Sequence, residues 1–262
     1  MKPGLLVVAL TLIAATPAFA QSFPGEINLR WRGCITVTSG PNFSSQNVNS
    51  ACDGTVVGFP GNTYWAVVSF IAPPNVTNFI GTKATLEAYT PWPTLPDYWR
   101  HGAGECRETS VSAGLTSGLG TGATGSCQDP YLGAVTTREW TSASERPCVD
   151  RATITVQLTR DSGRPLTAGQ HYLANAVIFD TNHADYTNAD ACAGCPVPAL
   201  LKVTKLEIIQ ASPLPTIVLI GSKWPGYNYI FWEGGVLESP SPCYEPVPTR
   251  SQTWGAIKAT YR

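Results

Sequence analysis

The segment Arg151-Ala-Thr-Ile-Thr-Val-Gln-Leu-Thr-Arg160 alternates strictly, with Ala152, Ile154, Val156 and Leu158 on one side and Thr153, Thr155, Gln157 and Thr159 on the other. A period of two belongs to a strand, whose successive Cβ atoms point to opposite faces; on a helix the same apolar groups would scatter around the axis. This segment is therefore a strand with one dry and one wet face, and it needs sheet neighbours to stand in water. The chain has 24 Gly and 22 Pro, a balance that favours short strands joined by turns over helices. After a turn at Asp161–Pro165, a second strand is expected from His171 to Asp180. Further strands are expected at Ile27–Val37, Tyr64–Ala72, Lys83–Tyr89, Arg107–Ala113, Leu201–Gln210, Thr216–Gly221 and Tyr227–Trp232. About nine or ten short strands predict an all-β fold, a single antiparallel β-sandwich of jelly-roll or immunoglobulin-like type. One domain over 21–250 is expected, since no repeat or linker interrupts it, and Ser112–Ser126 reads as a long Gly/Ser/Thr loop or weak edge.

The compartment is set by the first twenty residues. Lys2 gives a positive start, Leu5–Ala15 is apolar except for Thr11, and Ala18-Phe19-Ala20 before Gln21 is a small-x-small cleavage site. Residues 1–20 are read as a signal peptide, since the apolar run is about half of the ~20 residues that a spanning helix needs. No transmembrane segment is expected in the mature chain, which is placed in the extracellular space or at the cell surface. Without Lys2 the chain holds 16 basic and 18 acidic residues and no basic block, which argues against nucleic acid or an anionic membrane as partner.

In an exported chain an even cysteine count reads as bridges, and Cys34, Cys52, Cys106, Cys127, Cys148, Cys192, Cys195 and Cys243 predict four disulfides. Closing a loop of some 15–20 residues contributes roughly 3 kcal/mol, so near neighbours are plausible partners. Cys34 with Cys52 and Cys106 with Cys127 are expected on that ground. Cys148 is then expected with one of Cys192 and Cys195, and Cys243 with the other. Cys192-Ala-Gly-Cys195 has thiol-oxidoreductase spacing, but Pro196 and Pro198 follow and no amphipathic helix does, so a structural disulfide loop is the preferred reading. Zinc is improbable, since no second ligand pair has matching spacing.

The loop Asp180-Thr-Asn-His-Ala-Asp-Tyr-Thr-Asn-Ala-Asp190 is the best metal candidate, with Asp180, Asn182, Asp185 and Asp190 as oxygen ligands for Ca2+. A solvated polar turn explains the same residues, because Asp and Asn suit turns for backbone reasons, and that reading is preferred. His183 between Asp180 and Asp185 also suggests an acid–base pair. With three histidines in all and neither a Gly-x-Ser-x-Gly elbow nor a His-Glu-x-x-His run, hydrolase chemistry has no motif here, although paired carboxylates leave no sequence signature.

Aromatic residues offer a different site. Trp92 lies between Pro91 and Pro93 with Tyr98 and Trp99 close behind, so that a surface connection could present flat rings to a sugar. A second group, Trp224, Tyr227, Tyr229, Phe231 and Trp232, is read as core, because aromatics fill sandwich interiors well. At the end of the chain Trp254, Ile257 and Tyr261 share one helical face behind Thr253 as N-cap, predicting a short helical tail over 251–262. That face either docks on the sandwich or, with Lys258 and Arg262, forms a sorting address.

Thr253-Trp-Gly-Ala-Ile-Lys-Ala-Thr-Tyr-Arg262 resembles the T-W-G-x-[IV]-K-x-x-Y-R ending of a group of uncharacterised exported bacterial proteins. Asn28–Cys34, Ala51–Asp53, Val68–Pro74, Gly104–Arg107 and Ala191–Cys195 resemble further landmarks of that group. The resemblance implies a secreted protein of unassigned function and supplies no catalytic residues. In that group a further cysteine is expected just after Cys-Ala-Gly-Cys, where this chain has Ala199-Leu-Leu201, so the bridge pattern is expected to differ. Three functions follow, in order: a non-catalytic structural or interaction protein with protein or glycan partners, a carbohydrate-binding module using Trp92 and Trp99, and a hydrolase without a recognisable motif. No cofactor is required by the first two, apart from the Ca2+ candidate above.

Overall fold

The computed structural model describes residues 25–34, 47–54, 63–92, 94–115, 127–144, 151–181, 183–184, 189–220 and 227–235. The segment 1–20 expected to be a signal peptide, most of Ser112–Ser126, Cys148, Asn182, Asp185, Trp224, Cys243 and residues 251–262 lie outside them.

The described residues are nearly all β: β1 Glu26–Trp31, β2 Asn47–Val48, β3 Thr63–Ile71, β4 Phe79–Tyr89, β5 Val111–Gly114, β6 Thr137–Ser144, β7 Arg151–Arg164, β8 His171–Asp180, β9 Ala199–Gln210, β10 Ile217–Leu219 and β11 Tyr229–Trp232. They form a four-stranded sheet in the order β1-β3-β8-β5 and a seven-stranded one in the order β2-β11-β9-β4-β7-β6, with β10 also beside β9. Pairing is antiparallel except between β2 and β11, which run parallel, so the larger sheet is mixed where an antiparallel one was expected.

The alternation read in β7 is real. Ala152, Ile154, Val156 and Leu158 are fully buried, and Thr153, Thr155, Gln157 and Thr159 are partly exposed. Directly across, Ala84, Leu86 and Ala88 of β4 meet Val156, Ile154 and Ala152, so small and branched side chains share one inner face. That face and the inner side of the four-stranded sheet enclose a single core; Tyr64 of β3 meets Trp232 of β11 edge-on, with ring centroids 4.8 Å apart. Burying some forty-five residues in one cluster is the main stabilising term.

Three expectations change. The strand read at Arg107–Ala113 starts only at Val111, because residues 102–110 form turns and Arg107 is buried, its guanidinium donating to the backbone carbonyls of Tyr98 and Asp180. The turn read at Asp161–Pro165 is strand as far as Arg164, where Phe79 pairs with it. The bridges also differ from the neighbour pairing: Cys34 joins Cys127, Cys52 joins Cys195 and Cys106 joins Cys192, at sequence separations of 93, 143 and 86. Nearness in sequence fails as a guide because β3 lies beside β8 and β4 beside β9, so that the sheet brings remote segments together. With Cys192 and Cys195 taken, neither is left for Cys148 or Cys243.

Candidate functional site

Tyr89 at the end of β4 pairs with Leu200 at the start of β9, so the connection leaving β4 and the one entering β9 lie side by side at one end of the larger sheet. Between them is a cavity of about 620 Å³ lined by Trp92, Ala191, Ala193, Gly194, Pro196, Val197 and Pro198. Trp92 is 53% exposed, as a proline-flanked loop position suggests. Tyr98 and Trp99 are not: both are 1% exposed, on a 3-10 turn at Asp97–Trp99 that points them into the core. The three rings thus do not form one platform, and among the described sequence candidates only Trp92 lines this cavity.

The groove is held rigidly from behind. Cys192 and Cys195 tie its far wall to Cys106 and Cys52, so the Cys-Ala-Gly-Cys element serves two separate bridges and carries no dithiol of its own. The Ala193 carbonyl accepts from Tyr98 N–H at 3.0 Å, the Gly194 carbonyl from Val197 N–H at 3.1 Å, and the Cys195 carbonyl from the Trp232 indole N–H at 2.7 Å. Gly194 has φ +101°, and a Cβ there would lie 2.3 Å from Pro96 Cβ, so only glycine lets the two walls meet. A wall fixed in this way loses little entropy when a ligand binds.

Beneath the groove is a buried aromatic and charged cluster. Trp232 packs against Tyr98 and Trp99, with both centroid distances 5.6 Å. The Arg107 guanidinium carbon sits 3.9 Å from the Tyr98 ring centre, and the group donates to the carbonyls of Tyr98, at 3.3 Å, and Asp180. It also lies 3.9 Å from the Asp180 carboxylate, so Asp180 answers a cation of the protein itself. Burial pushes the Tyr98 phenol up to about 12 despite Arg107 nearby. Burial, then Arg107, lowers His101 to about 3, and this neutral ring donates from Nδ1 to the Arg107 carbonyl at 3.2 Å. Sequence reading missed His101 and Arg107; a histidine and an arginine six residues apart in a polar stretch carry no signal that both are buried.

Of the metal candidates, Asp180 is engaged as above and Asp190 is exposed, its carbonyl accepting from His183 Nδ1 at 2.9 Å. His183 thus meets a backbone carbonyl, and among the described residues no group of three or more His, Cys, Asp or Glu side chains could hold a metal ion. A serine–histidine contact, Ser69 Oγ to His171 Nε2 at 2.9 Å, is buried in the four-stranded sheet. No helix among the described residues is long and apolar enough to cross a membrane, and the disulfides are consistent with an extracellular protein. No protein-family model matches this chain, and no curated protein is significantly similar to it.

Proposed function

We propose that this chain is an exported, non-catalytic interaction protein of the cell surface or extracellular space, built on a two-sheet β-sandwich and recognising its partner through the Trp92 groove. The observation that carries the reading is an exposed tryptophan over an apolar wall that two disulfides hold in place. A large rigid ring beside a preformed apolar wall gains contact area at little ordering cost, which is how aromatic anchors dominate recognition surfaces. The titratable groups near the groove have structural tasks: Asp180 and Arg107 hold each other, and His101 holds a turn. The carbohydrate reading keeps Trp92 as its stacking face and loses Tyr98 and Trp99, which lie in the core.

The test is a printed array of oligosaccharides and proline-rich peptides, probed with the labelled protein and with Trp92→Ala. Saturable binding that weakens at least tenfold in the variant, at an unchanged melting temperature, supports the reading. Binding that Trp92→Ala leaves untouched, or no binding to any spot, sinks it.

A further inference from the structure

We propose that the outer face of the larger sheet binds an extended β-linked polysaccharide, laid across β11, β9 and β4. This surface is built from other residues than the Trp92 groove, and its binding does not depend on that groove.

The strand registers assemble the surface. Phe231 pairs with Leu200, Leu200 with Tyr89 and Tyr89 with Arg151, so these four side chains form one row across β11, β9, β4 and β7. Tyr229, Lys202, Glu87 and Thr153 form the next row by the same pairings. Their chain neighbours Ile230, Trp232, Leu201, Ala88 and Ala152 fill the core, so both rows stand on the side away from it. Every member of the two rows except Leu200 is partly exposed. Rings therefore stand together on the wet side of a sheet that carries Lys83, Thr85, Thr155 and Gln157 further along.

The chemistry of the two rows selects the ligand. At this patch β9 is hydrogen-bonded to β11 on one edge and to β4 on the other, so it has no edge left for an added strand and a ligand must meet side chains. The cores of protein interfaces are depleted in Lys and Glu, yet here Lys202 and Glu87 lie one row from the rings. A sugar uses both rows: its C–H face stacks on an aromatic ring, and the hydroxyls at its rim reach the charged and hydroxyl side chains alongside. Neighbouring strands lie ~4.8 Å apart, which sets the backbones of Phe231 and Tyr89 ~10 Å from each other, about the length of a disaccharide in an extended chain. Alternate sugar units then lie over the two rings, with the unit between them over Leu200. The rings are fixed in advance, since Phe231 meets Tyr229 with centroids 5.2 Å apart and the Arg151 guanidinium carbon lies 5.0 Å from the Tyr89 ring centre. A platform held in this way loses little entropy on binding.

The experiment titrates cellohexaose, chitohexaose and, as the coiled α-linked control, maltohexaose into the full-length protein by calorimetry. A β-linked hexasaccharide is expected to bind saturably, at least tenfold more weakly in Tyr89→Ala and Phe231→Ala and several-fold more weakly in Glu87→Gln, at unchanged melting temperature. If a ring variant loses stability, the amide shifts of the wild type decide: shifts on titration centred in β4, β9 and β11 support the inference, and shifts centred elsewhere overturn it. No binding of either β-linked sugar, equal binding of maltohexaose, or binding that Tyr89→Ala leaves unchanged overturns it. Shifts in these strands on tenfold dilution of the sugar-free protein also overturn it, by placing a second copy on the face. Binding lost in Tyr89→Ala and kept in Trp92→Ala supports this surface and removes the groove reading; the reverse keeps the groove and excludes this surface.

Discussion

On the seven-stranded sheet the residues facing away from the core, such as Lys83, Thr85, Glu87, Thr153 and Thr155, are partly exposed, whereas on the four-stranded sheet Val67, Ser69 and Ile71, which alternate along β3 with Ala66, Val68 and Phe70, are buried as well. The first sheet has the usual wet side of an antiparallel layer, whereas on the second the middle of β3 is buried on both faces and the surrounding Arg30, Thr63, Trp65 and Ser112 are partly or fully exposed. The difference governs how each sheet tolerates polar groups. Lys205 and Glu207 pair at 3.2 Å on the wet side, where both remain hydrated. On the dry side Ser69 and His171 bond to each other, because a buried hydroxyl or ring nitrogen without a partner costs free energy.

The largest expected break in this comparison comes from placing the same side chain on both outer faces. Val67→Asn buries an amide in an apolar site and should cost ~3 kcal/mol, while Thr155→Asn on the wet side should stay below ~1 kcal/mol. Urea melts of both variants read the gap. Equal midpoints would mean that the four-stranded sheet is not dry in solution.

The next effect is acid sensitivity at the end of the four-stranded sheet. The His101 ring lies 5.7 Å from that of Phe179 in β8, and its folded pKa of about 3 lies below the ordinary 6.5. Between those values the unfolded chain takes up a proton that the folded one refuses. Stability from neutral His101 is therefore complete above the ordinary value and drains away as pH falls toward the folded one. His101→Asn retains a donor for the Arg107 carbonyl without titrating, so its melting temperature should fall less steeply than wild type from pH 6.5 to pH 4, a range set by the ordinary histidine pKa. Hydrogen exchange should show β8 and β5 losing protection first over that range; uniform loss in both sheets would count against the contrast.

The smallest effect belongs to the wet side. Lys205→Ala removes one half-exposed ion pair and should change stability by no more than ~0.5 kcal/mol. A larger drop by calorimetry would show that this face is covered in solution.

The same contrast explains how much could be read beforehand. β7 was legible over Arg151–Arg160 because its two faces differ there, while its continuation to Arg164 was read as a turn, and β3 and β8 were placed to within a residue of their bounds. β6, Thr-Arg-Glu-Trp-Thr-Ser-Ala-Ser, was missed: it is an edge strand, exposed at Arg138, Glu139, Thr141 and Ala143, and its polar residues show no period. At the candidate site Trp92 was legible from its flanking prolines. That Tyr98 and Trp99 turn inward a few residues later was not, since they follow the 3-10 turn and the closing of Trp232 over them.

By itself the sequence determined the β character of the chain, through the period of β7 and the Gly and Pro punctuation, because those are local steric and solvation preferences. It also marked cysteines for bridging, and Trp92, Tyr98 and Trp99 for the surface, of which Trp92 alone is exposed. Only the tertiary structure decided which cysteines meet, which ring stays in water and that Arg107 and His101 are buried. Those outcomes depend on which remote strands become neighbours, and bridging cysteines 86 to 143 residues apart is a property of the whole fold rather than of any segment.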